Sequence, residues 1–398
     1  MKERVLLLAM ALGVGAGGLY GWVAGEAATS VAWLGDLFLN ALKMLVLPLI
    51  FCSMVDAVSG LFRLGNFRRV AAITFGWYLC TTFIAVVIGL VVVGFIRPGA
   101  GVALVGGAGP DIAPATLGSI AGSVFSGNVF EAAARFQVLP VLVFALVFGL
   151  GLSAVGEKAE AATAFFSACS EALLKIVGWV MYAAPLGVAA LVAGRLGLAG
   201  GGEGFLRELA AIGWYFVAVV FGLGLHALVV LPSLLFFFSG RSPGGYAANL
   251  GEALMTAFST ASSSATLAVT MDLSEHRNGI RPQTASFVLP MGATVNMDGT
   301  ALYEAVAAMF IAQAAGLELG LPGQLIIVVT ATLASIGAAG IPQAGLVTMV
   351  IVLEAVGLPL EGISAILAVD WLLDRFRTTV NVWGDAVGAA VVDAHVDG

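Results

Sequence analysis

Charge is scarce in this chain. Asp, Glu, Lys and Arg make up 10% of its 398 residues, against about 25% in ordinary soluble domains. No basic tract and no interleaving of aromatic with basic residues is present, which excludes a nucleic-acid partner. Cysteine is scarce too. Cys52, Cys80 and Cys169 are the only three, all in apolar runs. Their number and spacing exclude a zinc site and a disulfide framework, so they read as free buried thiols. What fills the chain is apolar: 60% of residues are hydrophobic and the mean hydropathy is +1.04. Such a composition defines an all-α polytopic membrane protein whose surroundings are membrane lipid. The net charge of −7 is spread too thinly to name a partner.

A span needs about 20 apolar residues. Uninterrupted runs lie near residues 5–24, 37–62, 70–96, 117–154, 162–194 and 208–238. The first follows Met1-Lys2-Glu3-Arg4 and lacks a small-residue cleavage site, so it reads as a retained helix. Lys2, Arg4, Arg63, Arg68 and Arg69 fall where the positive-inside bias puts cytoplasmic ends. Arg195 and Arg207, in an apparently external loop, go against it.

The pattern changes after residue 240. Residues 247–271 and 325–356 are apolar but broken in the middle by small and polar residues. Arg241 precedes the first, and Arg277 and Arg281 follow it, so it enters and leaves on one side as a re-entrant hairpin. Gly337, Gly340, Pro342 and Gly345 forbid a continuous helix in the second. Non-helical backbone survives at membrane depth only inside protein or beside a polar cavity. Two broken segments, each followed by a polar-marked helix, form the pairing of an inverted repeat around a central binding site. For the glycines scattered through residues 14–25 and 84–94, plain helix packing suffices.

The polar residues in these segments carry the chemistry. The first hairpin tip holds Ser262, Ser263 and Ser264. Residues 292–300 contain Asn296, Met297 and Asp298, which would unwind a buried helix and free carbonyls beside a carboxylate, as a hard cation requires. Glu304 is an intramembrane acid without an obvious neighbouring base. Desolvation disfavours its charged form, which makes it a candidate proton carrier. In the segment 359–392, Asp370, Asp374, Arg377, Thr378, Asn381 and Asp385 share about 100° of one helix face, and Arg375 lies off it. Charges inside a bilayer are kept where they face water, each other or a ligand. This face suits a small zwitterion and cations.

Taken in order, the Ser262–Ser264 run, Asn296 to Thr300, Ala339 to Gly345 and Asp370 to Asp385 resemble the dicarboxylate/amino acid:cation symporter family, the glutamate and aspartate transporters. The resemblance covers essentially the whole chain. It implies eight transmembrane helices plus two re-entrant hairpins, inverted repeats and an elevator-type homotrimer. Residues 1–70 and 117–205 would be the scaffold. Residues 71–116 and 206–398 would form the transport domain, with hairpin 1 at 247–271, span 7 at 283–316, hairpin 2 at 325–356 and span 8 at 359–392.

It implies roles as well. Arg377 would take the substrate side-chain carboxylate and Asp374 its ammonium. Asn381, Thr300, Thr378 and the serine tip would hold the main-chain end, and Ile341, Pro342 and Gly345 would close over it. One sodium site would use Asp385 with backbone oxygens of Gly292, Asn296 and Asn381. A second would use those of Thr294, Ser335, Ile336 and Ala338. A third would use Asp298 and Asn296 with Tyr78, Thr81 and Thr82. Glu304, Arg375, Met297 and Asp370 form the proton- and potassium-coupling set. Archaeal aspartate transporters differ by an arginine where Ala261 stands and a glutamine where Glu304 stands. Arg375 and Glu304 instead match the animal excitatory amino acid transporters.

The function so implied is sodium-coupled uptake of L-glutamate and L-aspartate, with proton co-transport, potassium counter-transport and no organic cofactor. The alternatives are a proton-coupled C4-dicarboxylate or glutamate carrier, a neutral amino acid carrier and a substrate-gated anion channel. An enzyme is not expected, because Asp298 and Asp385 lack the second Gly-Asp context of an aspartyl hydrolase. A short 98–135 region points to a prokaryotic inner membrane, with both termini cytoplasmic.

Overall fold

The computed structural model describes residues 2–60, 68–101, 126–198, 202–336 and 344–396, helices joined by turns and short irregular segments, with no strand among the described residues. Helix α1 is Lys2–Ala24, and the 3-10 segment Gly25–Val31 leads into α2, Ala32–Gly60. Then come α3 (Arg68–Ile96), α4 (Val129–Ala134), α5 (Val138–Val155), α6 (Glu160–Met181), α7 (Ala184–Leu198) and α8 (Gly202–Leu225). The π-turn His226–Val230 joins α8 to α9, Leu231–Ser239. The remainder is α10 (Pro243–Asn249), α11 (Gly251–Thr260), α12 (Ser263–His276), α13 (Pro282–Val295), α14 (Asp298–Ala314), α15 (Leu321–Ile336), α16 (Ala344–Val356) and α17 (Ile363–His395).

Among the described residues, four segments are long and apolar enough to cross a membrane: Leu8–Asp56, Val70–Ile96, Pro140–Met181 and Leu206–Ser239. Large apolar side chains such as Trp22, Phe95, Phe221 and Phe237 stay exposed on their outer faces, as lipid-facing residues do.

The breaks have local causes. The run expected over 162–194 divides at Tyr182–Ala183, because Pro185 has no N–H and its ring clashes one turn back. The run expected over 117–154 is described as helix only from Val129. It is interrupted at Phe136, whose φ of 57° is left-handed. Hairpin 1 comprises α11 and α12. Ala261 turns the chain at φ 50°, and the Ser262 hydroxyl accepts from Ala265 N at 3.1 Å to cap α12. The helix expected over 283–316 is interrupted at Asn296 (φ −97°, ψ 89°) and Met297 (φ −116°, ψ 51°). Arms α15 and α16 form hairpin 2. Its tip, with Ala338, Ile341 and Pro342, lies outside the described residues.

Two sets of helices emerge from packing. Helices α1, α2, α5, α6 and α7 pack on one another, while α3 packs on α8 and α14, and α17 threads between α8, α9, α11, α13 and α14. Helix α1 meets α7 through glycines at four-residue spacing. A Cβ on Gly13 or Gly21 would lie 2.5 Å from Pro185 O or 2.8 Å from Ala193 O.

Arg195, which runs against the positive-inside bias, is a buried structural charge. Its Nε lies 2.6 Å from Glu208 Oε1, with side-chain exposures of 6% and 7%. Removing one partner from a buried pair costs about 3–5 kcal/mol. Glu208→Gln is therefore expected to lower the unfolding midpoint of the detergent-solubilised protein. Arg195→Met combined with Glu208→Leu recovers most of that loss.

Candidate functional site

Helix α17 supplies one wall of a buried polar centre, and the unwound Asn296–Met297 segment supplies the other. Arg377 is fully buried, with Nη2 2.7 Å from Asp374 Oδ1 and 3.3 Å from Asp370 Oδ1. Its guanidinium carbon sits 3.9 Å from the centroid of the Tyr303 ring. The α17 register explains the grouping, since Asp370, Asp374 and Arg377 are spaced four and three apart on one face. Two guanidinium nitrogens, Nε and Nη1, have no partner among the described residues. A Cβ on Gly345 would come within 2.5 Å of Nη1, so the start of α16 lies directly against that open edge.

Asn381 ties α17 to the α14 N-terminus. Its Oδ1 accepts from Gly299 N at 2.7 Å, and its Nδ2 lies 3.3 Å from Thr300 Oγ1 and 3.1 Å from Met297 Sδ. Thr378, Ser262 and Ser263 are buried, whereas Ser264 is exposed.

A second cluster lies at the break itself. Asp298 Oδ1 accepts from Thr82 Oγ1 at 2.7 Å, with Thr81 Oγ1 at 3.2 Å. Asn296 Oδ1 lies 3.4 Å from the Thr81 hydroxyl, and its Nδ2 donates to Asp385 Oδ1 at 2.9 Å. The Tyr78 hydroxyl donates to Val288 O at 3.0 Å and so does not bond to Asp298. A Cβ on Gly292 would meet Asp385 Oδ1 at 2.6 Å and Tyr78 Oη at 2.7 Å, which puts these groups around one point. The cluster is built of carboxylate, amide and hydroxyl oxygens, the donor set of a hard cation. No group of three or more His, Cys, Asp or Glu able to hold a metal ion occurs among the described residues. Of the remaining sodium set, Ser335 and Ile336 are buried, Thr294 is exposed, and Ala338 falls in the undescribed tip.

Glu304 is fully buried and therefore not a water-exposed cavity residue. The Thr348 hydroxyl of α16 donates to its Oε1, while Oε2 has no partner among the described residues. Arg375 leaves the stripe. Its Nη1 donates to Phe258 O at 2.7 Å and Ser259 O at 2.6 Å, the last-turn carbonyls of α11. A cation there complements the helix C-terminus. Ala261 is the turn directly beyond those carbonyls.

His226 was not legible as a site residue. It is fully buried, and its Nε2 lies 3.0 Å from Asp298 Oδ2. The available signal was a lone intramembrane ionisable residue, which is a functional candidate by default.

Buried charges gathered around broken helices define a secondary transporter of the membrane-embedded symporter class. The family model for the sodium:dicarboxylate symporter family matches residues 5–395, and the chain belongs to that family. It is 39% identical to human "Excitatory amino acid transporter 3" over 91% of this chain and 78% of the relative. It is 37% identical to the Caenorhabditis elegans "Putative sodium-dependent excitatory amino acid transporter glt-4", covering 98% of this chain and 90% of that protein. Human "Neutral amino acid transporter B(0)" is also 37% identical, over 98% and 78%. The chain is thus a transporter rather than an enzyme, with sodium as coupling ion. These relatives are animal proteins and give no support to a prokaryotic source.

Proposed function

We propose that this protein takes up L-glutamate and L-aspartate, driven by sodium. The observation carrying this reading is the buried Arg377–Asp374 pair, whose guanidinium keeps Nε and Nη1 without a hydrogen-bond partner among the described residues, Nη1 lying against Gly345. A guanidinium fork matches a planar carboxylate in two parallel hydrogen bonds. Asp374, once turned from Arg377, offers a carboxylate to the substrate ammonium. Ser262, Ser263, Thr300, Thr378 and Asn381 complete the main-chain end. Gly345 covers it, and a covering role for Ile341 and Pro342 belongs to the proposal alone.

Charge balance supports cation coupling. Asp298, Glu304, Asp370, Asp374 and Asp385 stand against Arg375 and Arg377, and an acidic amino acid adds one more negative charge. Unneutralised charge is too costly to bury. Sodium at Asp298 and at Asp385, bridged by Asn296, supplies the balance, and Asn381 links these ions to the substrate. Binding of ion and substrate is therefore cooperative, and each raises the affinity of the other by the same factor.

The coupling ions extend to a proton on Glu304 and to potassium on the return step. The helices α1, α2 and α5 to α7 serve as the trimer scaffold, and the rest as a moving unit. Eight spans, a homotrimer and cytoplasmic termini in a plasma membrane complete this reading.

Within the family, the neutral amino acid carriers are the specific rival, since one relative carries that name. Sodium-driven uptake of labelled aspartate into proteoliposomes separates the possibilities. Unlabelled glutamate is expected to compete fully. Serine lacks the carboxylate for Arg377 and succinate lacks the ammonium for Asp374, so each should compete at least about 100-fold more weakly, the loss of one charged pairing in a buried site. Equal competition by serine identifies a neutral carrier, and equal competition by succinate a dicarboxylate carrier.

A further inference from the structure

The π-turn His226–Val230 has a sequence cause and a positional result. Pro232 has no N–H to give one turn back, and its ring crowds the preceding turn. The Leu231 N–H bonds His226 O, five residues back. Ala227 O is left without a helical donor, and the Trp383 indole N–H of α17 donates to it at 3.0 Å. The extra residue in the turn rotates His226 inward. π-bulges within α-helices are frequent at functional sites. Here the bulge directs an imidazole onto Asp298, which lies 72 residues further along the chain.

The two oxygens of Asp298 have different neighbours. Oδ1 faces Thr82 and Thr81, and Oδ2 faces His226 Nε2. Both the carboxylate and the imidazole are fully buried. With Asp298 as a carboxylate both oxygens are acceptors, and the 3.0 Å contact is then a bond from a hydrogen on Nε2. Nδ1 has no partner among the described residues, so the contact to Asp298 is the only polar one that orients the ring.

We infer that His226 is a positioning residue for sodium coupling. Its Nε2–H holds Asp298 Oδ2 and turns Oδ1 to the Thr81–Thr82 face, where the ion is bound. This rests on the proposal that Asp298 is a sodium ligand. Partners that orient metal-binding groups from outside typically contribute 10- to 100-fold in affinity. The role needs one N–H at the Nε2 position and no change of charge.

The test uses the full-length protein in lipid nanodiscs. The readouts are the sodium concentration giving half-maximal aspartate binding, and the aspartate Kd at saturating sodium. His226→Ala is expected to raise the sodium midpoint by about 10- to 100-fold, with the aspartate Kd at saturating sodium within about twofold. His226→Gln, whose amide N–H reaches the Nε2 position, should restore most of the sodium affinity. His226→Asn, which mimics Nδ1, should not. If alanine does not fold, the glutamine–asparagine comparison still decides. Equal sodium midpoints in those two variants, or a wild-type midpoint in alanine, overturn the inference. Asp298→Asn serves as the reference. If it shifts the midpoint while the His226 variants do not, the ion site stands and the positioning role fails. If Asp298→Asn leaves the midpoint unchanged, the ion-site reading fails and the inference falls with it.

Discussion

Arg377→Ala is expected to abolish uptake of glutamate and aspartate. The arginine is fully buried, and two of its nitrogens have no hydrogen-bond partner among the described residues. Each hydrogen bond to a charged group contributes about 1.5–3 kcal/mol. Losing a bidentate pair therefore removes about 3–6 kcal/mol, or roughly 100- to 10,000-fold in substrate affinity. The substitution also strips the cation from Asp370 and Asp374. Stability falls with it, by about 3–5 kcal/mol for a broken buried pair. Arg377→Lys separates the two effects. It keeps the charge among the carboxylates but offers a point donor in place of a planar fork. That variant should fold near normally and still lose most affinity for aspartate. Labelled aspartate uptake and thermal unfolding, measured on the same preparations, check both. Undiminished aspartate uptake by Arg377→Ala would remove the substrate assignment.

Glu304→Gln is expected to uncouple the transport cycle without closing the site. The side chain is fully buried in α14 and bonds Thr348 of α16, the second arm of hairpin 2. Glutamine is nearly isosteric, and its amide oxygen can still accept from Thr348. What it cannot do is gain or lose a proton. Exchange of internal for external aspartate, which needs no return of the empty carrier, should persist. Net uptake should lose its stimulation by internal potassium and become flat with external pH. Proteoliposomes with sodium, potassium and pH varied on each side read all three. Wild-type net uptake that ignores internal potassium would sink the potassium part of the proposal while leaving the sodium part standing.

Much of the site was legible in the chain itself. The break at Asn296–Met297 follows from residues that cannot continue a helix, and the one expected at 337–343 lies outside the described residues. The face shared by Asp370, Asp374, Arg377, Asn381 and Asp385 follows from helical periodicity alone. Arg375 was visible as the residue off that face, but its destination was not. Its bonds to Phe258 O and Ser259 O depend on where hairpin 1 docks against α17. Arg195 stood out against the positive-inside bias, and its partner Glu208, in the next helix, has no signature in spacing.

The sequence by itself determined the membrane class, the broken segments and the order of the polar motifs. Those properties are local: apolar runs partition into lipid, backbone groups in lipid must bond within their own helix, and Pro, Gly, Asn and Asp interrupt that bonding. The tertiary structure decided which polar atoms meet. Asn296 reaches Asp385 across 89 residues, and His226 reaches Asp298 across 72. Such pairs have no signature in spacing. They form because a buried polar group needs a partner and the packing of α3, the π-turn, α14 and α17 brings one within hydrogen-bond distance.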